Sequence, residues 1–452
     1  RNVDNHTVDL LFDVSEGPHV YVDRIDINGN TITRDNVVRR QFPFAEGDPL
    51  TPGGQRYAKQ SLQDLGFFNT VSVDTAPGAA PDRQVVNANI TEKPTGQLSF
   101  GGGYSTDAGV LGNAGIRQSN LVGTGIDAGL SGTIAQYESQ IDLSLTDPYF
   151  LGRNMVAGID LFDIQTQGNS SSIQNYYETR LGGTGRIGYA FNRYLSQSWN
   201  YTATHRRINN VYSLASLYIQ AEKGSTTLSQ IGTTLAYDRR DSRVAPHSGY
   251  VVSVGGDVAG LGGDARYVRG KVDASYYVPL DYFTGNHDWT LAFKAGTGYI
   301  TDFSGGQKSI VDNFYLGGDN LRGFYDGGVG PFSRATSLLP AKDALGGKFI
   351  YTASAQVNFP LPLGPDLGLS GRYFVDVGGL DGVRVRSTNF AGNPLAAGQG
   401  IDGDNLRPRV GTGVGVSWKS PFGLINLDLG IPVVKQDSDK QQVFRFGFGS
   451  NF

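Results

Sequence analysis

Residues Thr7 to Val14 alternate apolar and polar side chains, with Val8, Leu10, Phe12 and Val14 in register, until Glu16-Gly17-Pro18 breaks the pattern. Alternation of period two predicts a strand, and this one is expected to be the last strand of a preceding, truncated domain over residues 1–17. A second strand is expected from Val20 to Ile27, closed by Asn28-Gly29-Asn30. Thr33 is a suitable N-cap for a helix covering Val37, Val38 and Phe42. A second helix is expected to follow Thr51-Pro52, because proline is favoured in the first helical turn. Tyr57, Ser61, Leu62 and Leu65 keep helical spacing up to Gly66. Strands from Thr70 to Thr75 and from Gln84 to Ile90 complete a compact α+β domain of order β-α-α-β-β over residues 18–94, which Pro94 ends.

From Gln97 onward the helical period is lost. Segments of about 10 residues alternate apolar and polar positions between turn residues, the pattern of a membrane-spanning barrel. In one segment Val268, Val272, Ala274, Tyr276 and Val278 oppose Arg269, Lys271, Asp273 and Ser275. Trp289, Leu291, Phe293 and Ala295 oppose Asp288, Thr290 and Lys294, and Val410, Val414, Val416 and Trp418 oppose Arg409, Gly411, Gly413 and Lys419. One face suits lipid and the other a wet lumen. A strand of a soluble sandwich would alternate in the same way, so the number of repeats decides. About sixteen segments fit between Gln97 and Phe452, an even number at about 22 residues each, as a barrel requires.

Connections alternate in length too. Tight turns are expected at Leu121 to Thr124, Asp147 to Gly152, Asn192 to Ser196, Leu361 to Pro365 and Ser420 to Gly423. Longer loops are expected at Gln165 to Asn175, Tyr212 to Gly224, Asp302 to Gly346 and Leu380 to Leu406. Short turns on one rim and long loops on the other suit a barrel with one side facing the periplasm. The expected fold is therefore an all-β transmembrane barrel of 16 antiparallel strands over residues 95–452, behind an α+β domain.

Composition narrows the function classes. The chain has 452 residues, of which 64 are Gly, 23 Tyr and 24 Phe, with no Cys. Glycine and aromatic residues suit twisted strands and aromatic girdles. No run of 18 apolar residues occurs, so no helix of this sequence is expected to span a bilayer. A net charge of -4 without a Lys/Arg-rich run argues against nucleic-acid binding. Without cysteine there is neither a disulfide nor a thiolate-bound metal. The sequence starts at Arg1 with no charged and apolar leader, from which a processed or truncated N-terminus is expected. The five His residues, including His205, His247 and His287, lack metal spacing, and no Gly-x-Ser-x-Gly motif occurs. Gly101-Gly102-Gly103 opens no helix and so is no phosphate cradle. Neither catalysis nor a cofactor is expected.

The long loop from Asp302 to Gly346 has about 45 residues without a strand or helix signal, too many for a simple connector. It contains Leu316-Gly317-Gly318-Asp319-Asn320-Leu321-Arg322-Gly323-Phe324. A loop that plugs a lumen buries its tip, and a buried guanidinium requires a carboxylate or several acceptors. Strand period puts Ser370, Arg372, Phe374, Asp376 and Gly378 on the lumen face, which makes Asp376 a reachable partner for Arg322. Residue types alone leave a solvated surface arginine open as the other reading.

This loop resembles the conserved Arg-Gly-Phe loop motif of the BamA-type and mitochondrial sorting-assembly insertase superfamily. Tyr237-Asp238-Arg239-Arg240-Asp241-Ser242 with Pro246 and Gly249, the turn Asp147-Pro148-Tyr149-Phe150, and Phe374-Val375-Asp376-Val377-Gly378 resemble further motifs of that superfamily. The β-α-α-β-β domain resembles its polypeptide-transport-associated (POTRA) repeats. The resemblance implies that Leu321, Arg322, Gly323 and Phe324 fold back into the lumen against Asp376. It also implies an outer-membrane protein assembly factor with its POTRA domain in the periplasm. Its expected partners are unfolded outer-membrane clients, accessory lipoproteins, periplasmic chaperones and the bilayer. One residue departs from the pattern: relatives usually carry Glu where this chain has Gln356, so the arginine would lean more on Asp376.

The C-terminus, Val443 to Phe452, places Phe444, Phe446 and Phe448 on one face, ends on an aromatic, and resembles the β-signal of outer-membrane proteins. Barrel closure requires it to pair with the first strand, where Leu98, Phe100, Gly102 and Tyr104 share a face. Glycine weakens a strand. A weak seam suits a lateral gate, while glycines that merely relieve crowding in a tilted barrel explain the sequence equally well. Of the rival functions, a polypeptide-translocation pore shares the fold. A passive porin would have no use for the POTRA-like domain.

Overall fold

The computed structural model describes residues 19–106, 108–168, 175–243, 245–286, 288–303, 305, 307–361, 368–386, 395, 398–420 and 423–449. The strand expected at Thr7 to Val14, together with His287 and Phe452, lies outside them. The chain divides into two units, the first comprising residues 1–96 and 118–127 and the second residues 97–117 and 128–452.

In the first unit, β1 (Tyr21–Asn28), α1 (Asp35–Arg39), α2 (Pro52–Asp64), β2 (Phe68–Pro77) and β3 (Arg83–Glu92) follow in the expected order. The sheet runs β1-β3-β2, with β1 parallel and β2 antiparallel to β3. The strand Gln84 to Ile90 is therefore central, and the backbone edge of Thr70 to Thr75 is the free one of the last two strands. Val22, Ile25, Val37, Val38, Ala58, Leu62, Val86 and Ile90 are buried in one core between helices and sheet. Thr51 caps α2, its Oγ1 accepting from the Gly54 amide at 3.0 Å.

The start of α1 differs from expectation. Arg34, not Thr33, is the capping residue, and it makes no side-chain cap. The Glu92 carboxylate, reaching from the end of β3, accepts instead from the amides of Thr31, Ile32 and Thr33 at 2.9, 2.8 and 2.6 Å. These amides precede the helix, and the Thr33 hydroxyl accepts from Asn120 Nδ2 at 2.8 Å rather than from an amide of the first turn. The helix is also shorter than expected and leaves Phe42 beyond its end, although Phe42 still packs in the core. Burial pushes the Glu92 carboxyl up, but the hydrogen bonds from Thr33, Thr31 and the neighbouring amides outweigh it and bring it down to about 2.

The second unit is a closed barrel of sixteen strands. Its first half comprises β4 (Gly96–Ser105), β5 (Gly109–Gln118), β6 (Asp127–Ala135), β7 (Glu138–Asp147), β8 (Met155–Gln167), β9 (Tyr177–Ala190), β10 (Leu195–Asn209) and β11 (Gly224–Asp238). Its second half comprises β12 (Gly249–Ala259), β13 (Tyr267–Pro279), β14 (Thr290–Asp302), β15 (Phe349–Pro360), β16 (Leu369–Asp381), β17 (Asn405–Ser420), β18 (Gly423–Val434) and β19 (Phe444–Gly449). Each strand pairs with its neighbour in sequence, and β19 closes on β4. Val268, Val272, Tyr276, Phe293, Val414 and Trp418 are exposed on the outer wall, whereas Arg269 turns inward to Asp257 at 2.6 Å. Every backbone group in such a closed wall finds a partner in the next strand, the condition for crossing hydrocarbon without helices.

Candidate functional site

The loop between β14 and β15 is not featureless. It contains two short 3-10 turns, Ile310–Asp312 and Gly318–Asn320, and two-residue strands at Gly323–Phe324 and Phe332–Ser333. Elements this short follow tertiary contacts rather than periodicity, which explains why sequence pattern missed them. Leu321 and Phe324 are buried in a cluster with Tyr267, Ile300, Phe314, Leu316, Val329 and Leu380. Gly323–Phe324 pairs antiparallel with Gln441–Gln442, just ahead of the last barrel strand.

Arg322 lies between these two anchors and points at β15 and β16. Its Nε donates to Asp376 Oδ2 at 2.7 Å and its Nη2 to Asp376 Oδ1 at 2.8 Å, a bidentate pair. Its backbone amide adds a third bond to Asp376 Oδ2 at 3.1 Å. Nη1 donates to Gln356 Oε1 at 2.7 Å, and the Gln356 amide nitrogen passes on to Asn358 at 2.7 Å. The guanidinium also stacks 3.5 Å from the centroid of the Phe374 ring. Ser354 donates to Asp376 Oδ1 at 2.7 Å, which fixes the carboxylate from its other side. Asp376 is 2% and Arg322 13% exposed, so neither charge has bulk water as an alternative partner. Gln356 is neutral, which leaves Asp376 as the single counter-charge in this group.

Two wall glycines make room for the loop, and although strand period already turns Gly411 inward, nothing in the sequence marks either contact. A Cβ on Gly411 of β17 would lie 1.9 Å from the Arg322 carbonyl oxygen, and one on Gly430 of β18 would lie 2.7 Å from the Gly323 amide nitrogen. No real side chain tolerates such contacts, so the loop backbone lies directly on the strand backbone at these points. A Gly-rich barrel hides such positions among many others, and no spacing in the sequence distinguishes them. Beside the clamp, Arg372 of β16 makes a second bidentate pair with Asp428 of β18 at 2.7 and 2.7 Å.

Other ion pairs hold the loop to distant segments. The fully buried Arg384 donates to Asp302 at 2.6 Å and to the Ser309 carbonyl at 2.8 Å. Arg206 of β10 lies 3.1 Å from Glu178 of β9 and 3.0 Å from Asp312 of the loop. Glu222 accepts from Ser309 Oγ at 2.7 Å, and burial pushes its carboxyl up. These partners lie far apart in sequence and share no motif, so only the folded chain brings them together.

The remaining motifs are local. Asp238 accepts from Arg240 Nε and Nη2 at 2.9 and 2.8 Å, and Arg239 lies 4.8 Å from the Tyr194 ring. Asp241 gathers the amides of Ser242, His247 and Ser248, tying the ends of the β11–β12 turn. Asp147 accepts from the Tyr149 amide at 2.9 Å, and Leu151 at the turn's tip takes a φ of 55°.

At the closure, Tyr104 pairs with Phe448 and Ser105 with Gly447, and the Thr106 amide donates to the Phe446 carbonyl at 3.1 Å. The Tyr104 and Phe446 rings lie 6.0 Å apart. On its other edge β19 pairs through six residues, Phe444 to Gly449, with Leu424 to Leu429. Leu98 and Phe100 of β4 are 70% and 78% exposed on the outer wall. Among the described residues no cluster of His, Asp and Glu could hold a metal ion.

Comparison with known proteins places this geometry in a family. Residues 20–93 match the POTRA family, described as a surface antigen variable number repeat. The outer membrane protein assembly factor BamA of Neorickettsia risticii is 28% identical over 99% of this chain and 57% of its own length. BamA of Neisseria meningitidis serogroup B is 28% identical over 100% of this chain and 59% of its own. The chain thus spans somewhat over half the length of these relatives. The crystal structure of Haemophilus ducreyi BamA lacking POTRA domains 1–3 superposes with a TM-score of 0.81 at 26% identity, covering 99% of this chain and 88% of that one. An outward apolar wall and a POTRA domain identify an outer-membrane barrel. Since the Omp85 superfamily domain matches residues 120–452, which take in the loop clamp and the last barrel strand, the chain belongs to the Omp85 superfamily.

Proposed function

We propose that this chain folds and inserts client β-barrel proteins into the outer membrane by templating their strands at the junction of β4 and β19. The observation that carries this reading is the closure of β19 on β4, where Tyr104 pairs with Phe448 and Ser105 with Gly447, so that the first and last strands of the wall meet at one seam. An unfolded client carries unpaired backbone groups that are costly in hydrocarbon. A strand edge released at the seam, Leu98 to Tyr104 facing Phe444 to Phe448, satisfies them by β-augmentation. Phe452 belongs to the same proposed seam. The process requires neither nucleotide nor covalent chemistry.

In this reading Arg322, held by Asp376 and Gln356, docks Leu321 to Phe324 against the wall next to the closing strands and keeps the lumen side ordered while the seam opens. Residues 18–94 act as a periplasmic POTRA domain, whose β2 edge can receive an extended client or a chaperone-borne segment. Residues 95–452 supply the barrel. Accessory outer-membrane lipoproteins complete the proposed assembly. The similarity to proteins named as assembly factors supports this function. Reconstitution in liposomes with an unfolded outer-membrane client tests it. Folded client is the expected product, and ion or polypeptide flux through the lumen without folded client would point to a translocation pore instead.

A further inference from the structure

The outer wall over β4 to β8 contains a hollow of about 660 Å³. Phe100, Ile134 and Ile141 stand out around it, 78%, 73% and 58% exposed, while Gly112, Ala114 and Gly132 between them carry almost no side chain. The wall is recessed because small residues fall on the outward positions of adjacent strands. Asp163 lines the same hollow. It pairs with Ile141 on one side and Leu181 on the other, and shares the outward face of β8 with Ile159 and Leu161.

A carboxylate here is anomalous. Asp163 Oδ1 is buried and has no hydrogen-bond partner. Carboxylates on the inner face nearby are satisfied, Asp160 by Arg186 at 2.8 Å and Asp142 by Gln140 at 2.7 Å. Burying an unpaired acceptor is costly, and a charge on a lipid-facing wall costs more. Asp163 lies eight residues beyond the start of β8 at Met155. At about 3.3 Å per residue and a tilt of about 40°, that is roughly 20 Å up an apolar band about 25 Å tall. The carboxylate therefore sits near the level where acyl chains meet headgroups, on the long-loop side. Gln165 and Ser139, opposite each other one step further out, continue the polar side of the hollow.

We propose that this hollow is a lipid-binding site, taking one acyl chain against Gly112, Ala114 and Gly132 and the N–H donors of an ammonium headgroup at Asp163. Charge complementarity selects the headgroup: a primary ammonium can donate to the carboxylate, and a quaternary ammonium cannot. The site lies on the outer wall and takes no part in the Arg322 clamp.

The test uses the full chain in lipid nanodiscs with bimane on a single cysteine, V110C, on the outward face two residues from Gly112. Brominated-acyl phosphatidylethanolamine and brominated-acyl phosphatidylcholine are compared as quenchers at equal mole fraction. We expect the ethanolamine lipid to associate roughly five- to tenfold more strongly, the scale of one charge-assisted hydrogen bond. Asp163→Asn should bring the ratio close to one. Gly132→Phe, which fills the hollow and leaves the carboxylate, should do the same, with heat-modifiable migration verifying that each variant is folded. Equal quenching by both lipids in the parent chain, or a preference that survives both substitutions, would overturn the site in favour of ordinary annular lipid.

Discussion

Arg322 and Asp376 are 54 residues apart in sequence and joined by three hydrogen bonds, two from the guanidinium and one from the arginine's own backbone amide. The pair fixes side chain and main chain of the loop tip together, which a surface ion pair does not. Arg322→Ala leaves the Asp376 carboxylate with the Ser354 hydroxyl and the residue 322 backbone amide but without its counter-charge, and removing one member of a buried pair costs about 3–5 kcal/mol. We expect Arg322→Ala and Asp376→Ala to lower thermal stability and assembly activity to a similar degree. The double variant should be little worse than either single one. Arg322→Lys should rescue poorly, because an ammonium cannot reproduce the bidentate fork. Additive losses in the double variant would refute the coupling.

Gly411 tests the same docking from the wall. Gly411→Ala adds one methyl group at a point 1.9 Å from the Arg322 carbonyl oxygen, so either strand or loop must shift. Since the loop is the softer of the two, we expect faster amide exchange at Gly323 and Phe324 while the barrel stays folded. Overpacking of this kind typically costs about 1–3 kcal/mol. Gly112→Ala, on the outer wall with open space around it, serves as the control. Equal exchange in both variants would show that the close approach is without consequence.

The first unit should respond to acid through Glu92. Its carboxyl, held at about 2 in the folded chain against an ordinary 4.5, is depressed by folding. A depressed acid contributes stability that is fully present above its unfolded value and is lost as pH falls through the folded one. Protection of the Thr31, Ile32 and Thr33 amides, corrected for intrinsic exchange, should therefore hold above about pH 5 and decline towards pH 2. Glu92→Gln should lower that protection at neutral pH and flatten its dependence below. A variant as protected as the parent at neutral pH, and equally acid-sensitive, would rule Glu92 out as the cause.

What the sequence disclosed follows from the range of each interaction. Alternation along β13, β14 and β17 marks an outer and an inner face because each strand reports its own environment locally. Strand period assigns Asp376 to the lumen, whereas the docking of Arg322 on it is implied by the loop's resemblance, since residue types alone leave a solvated arginine open. The wall contacts of Gly411 and Gly430, and the Arg206 and Arg384 pairs, depend on segments dozens of residues away and leave no local trace. Thr33 illustrates the opposite failure: its capping signal is present, but its hydroxyl is engaged by Asn120, 87 residues away in sequence.

The seam carries the proposed mechanism, and the register of β19 on β4 now supplies the positions with which to test it. Ser105 and Gly447 are directly paired, so S105C with G447C places two thiols across the closure. Their neighbours Tyr104 and Phe448 keep their side chains on the outer wall. Directly opposed residues in an antiparallel pair lie about 4.5–5.5 Å apart at Cα, within the span of a disulfide. The chain has no cysteine of its own, so no other thiol competes. If clients enter between β4 and β19, the oxidised double variant should migrate as a folded barrel yet fail to insert client in liposomes. Adding reductant should restore insertion to the level of the parent chain. A pore that moves polypeptide through its lumen would be indifferent to the lock, because the crosslink narrows nothing inside the barrel. Full insertion activity in completely crosslinked protein would therefore eliminate the lateral route and leave the lumen as the path.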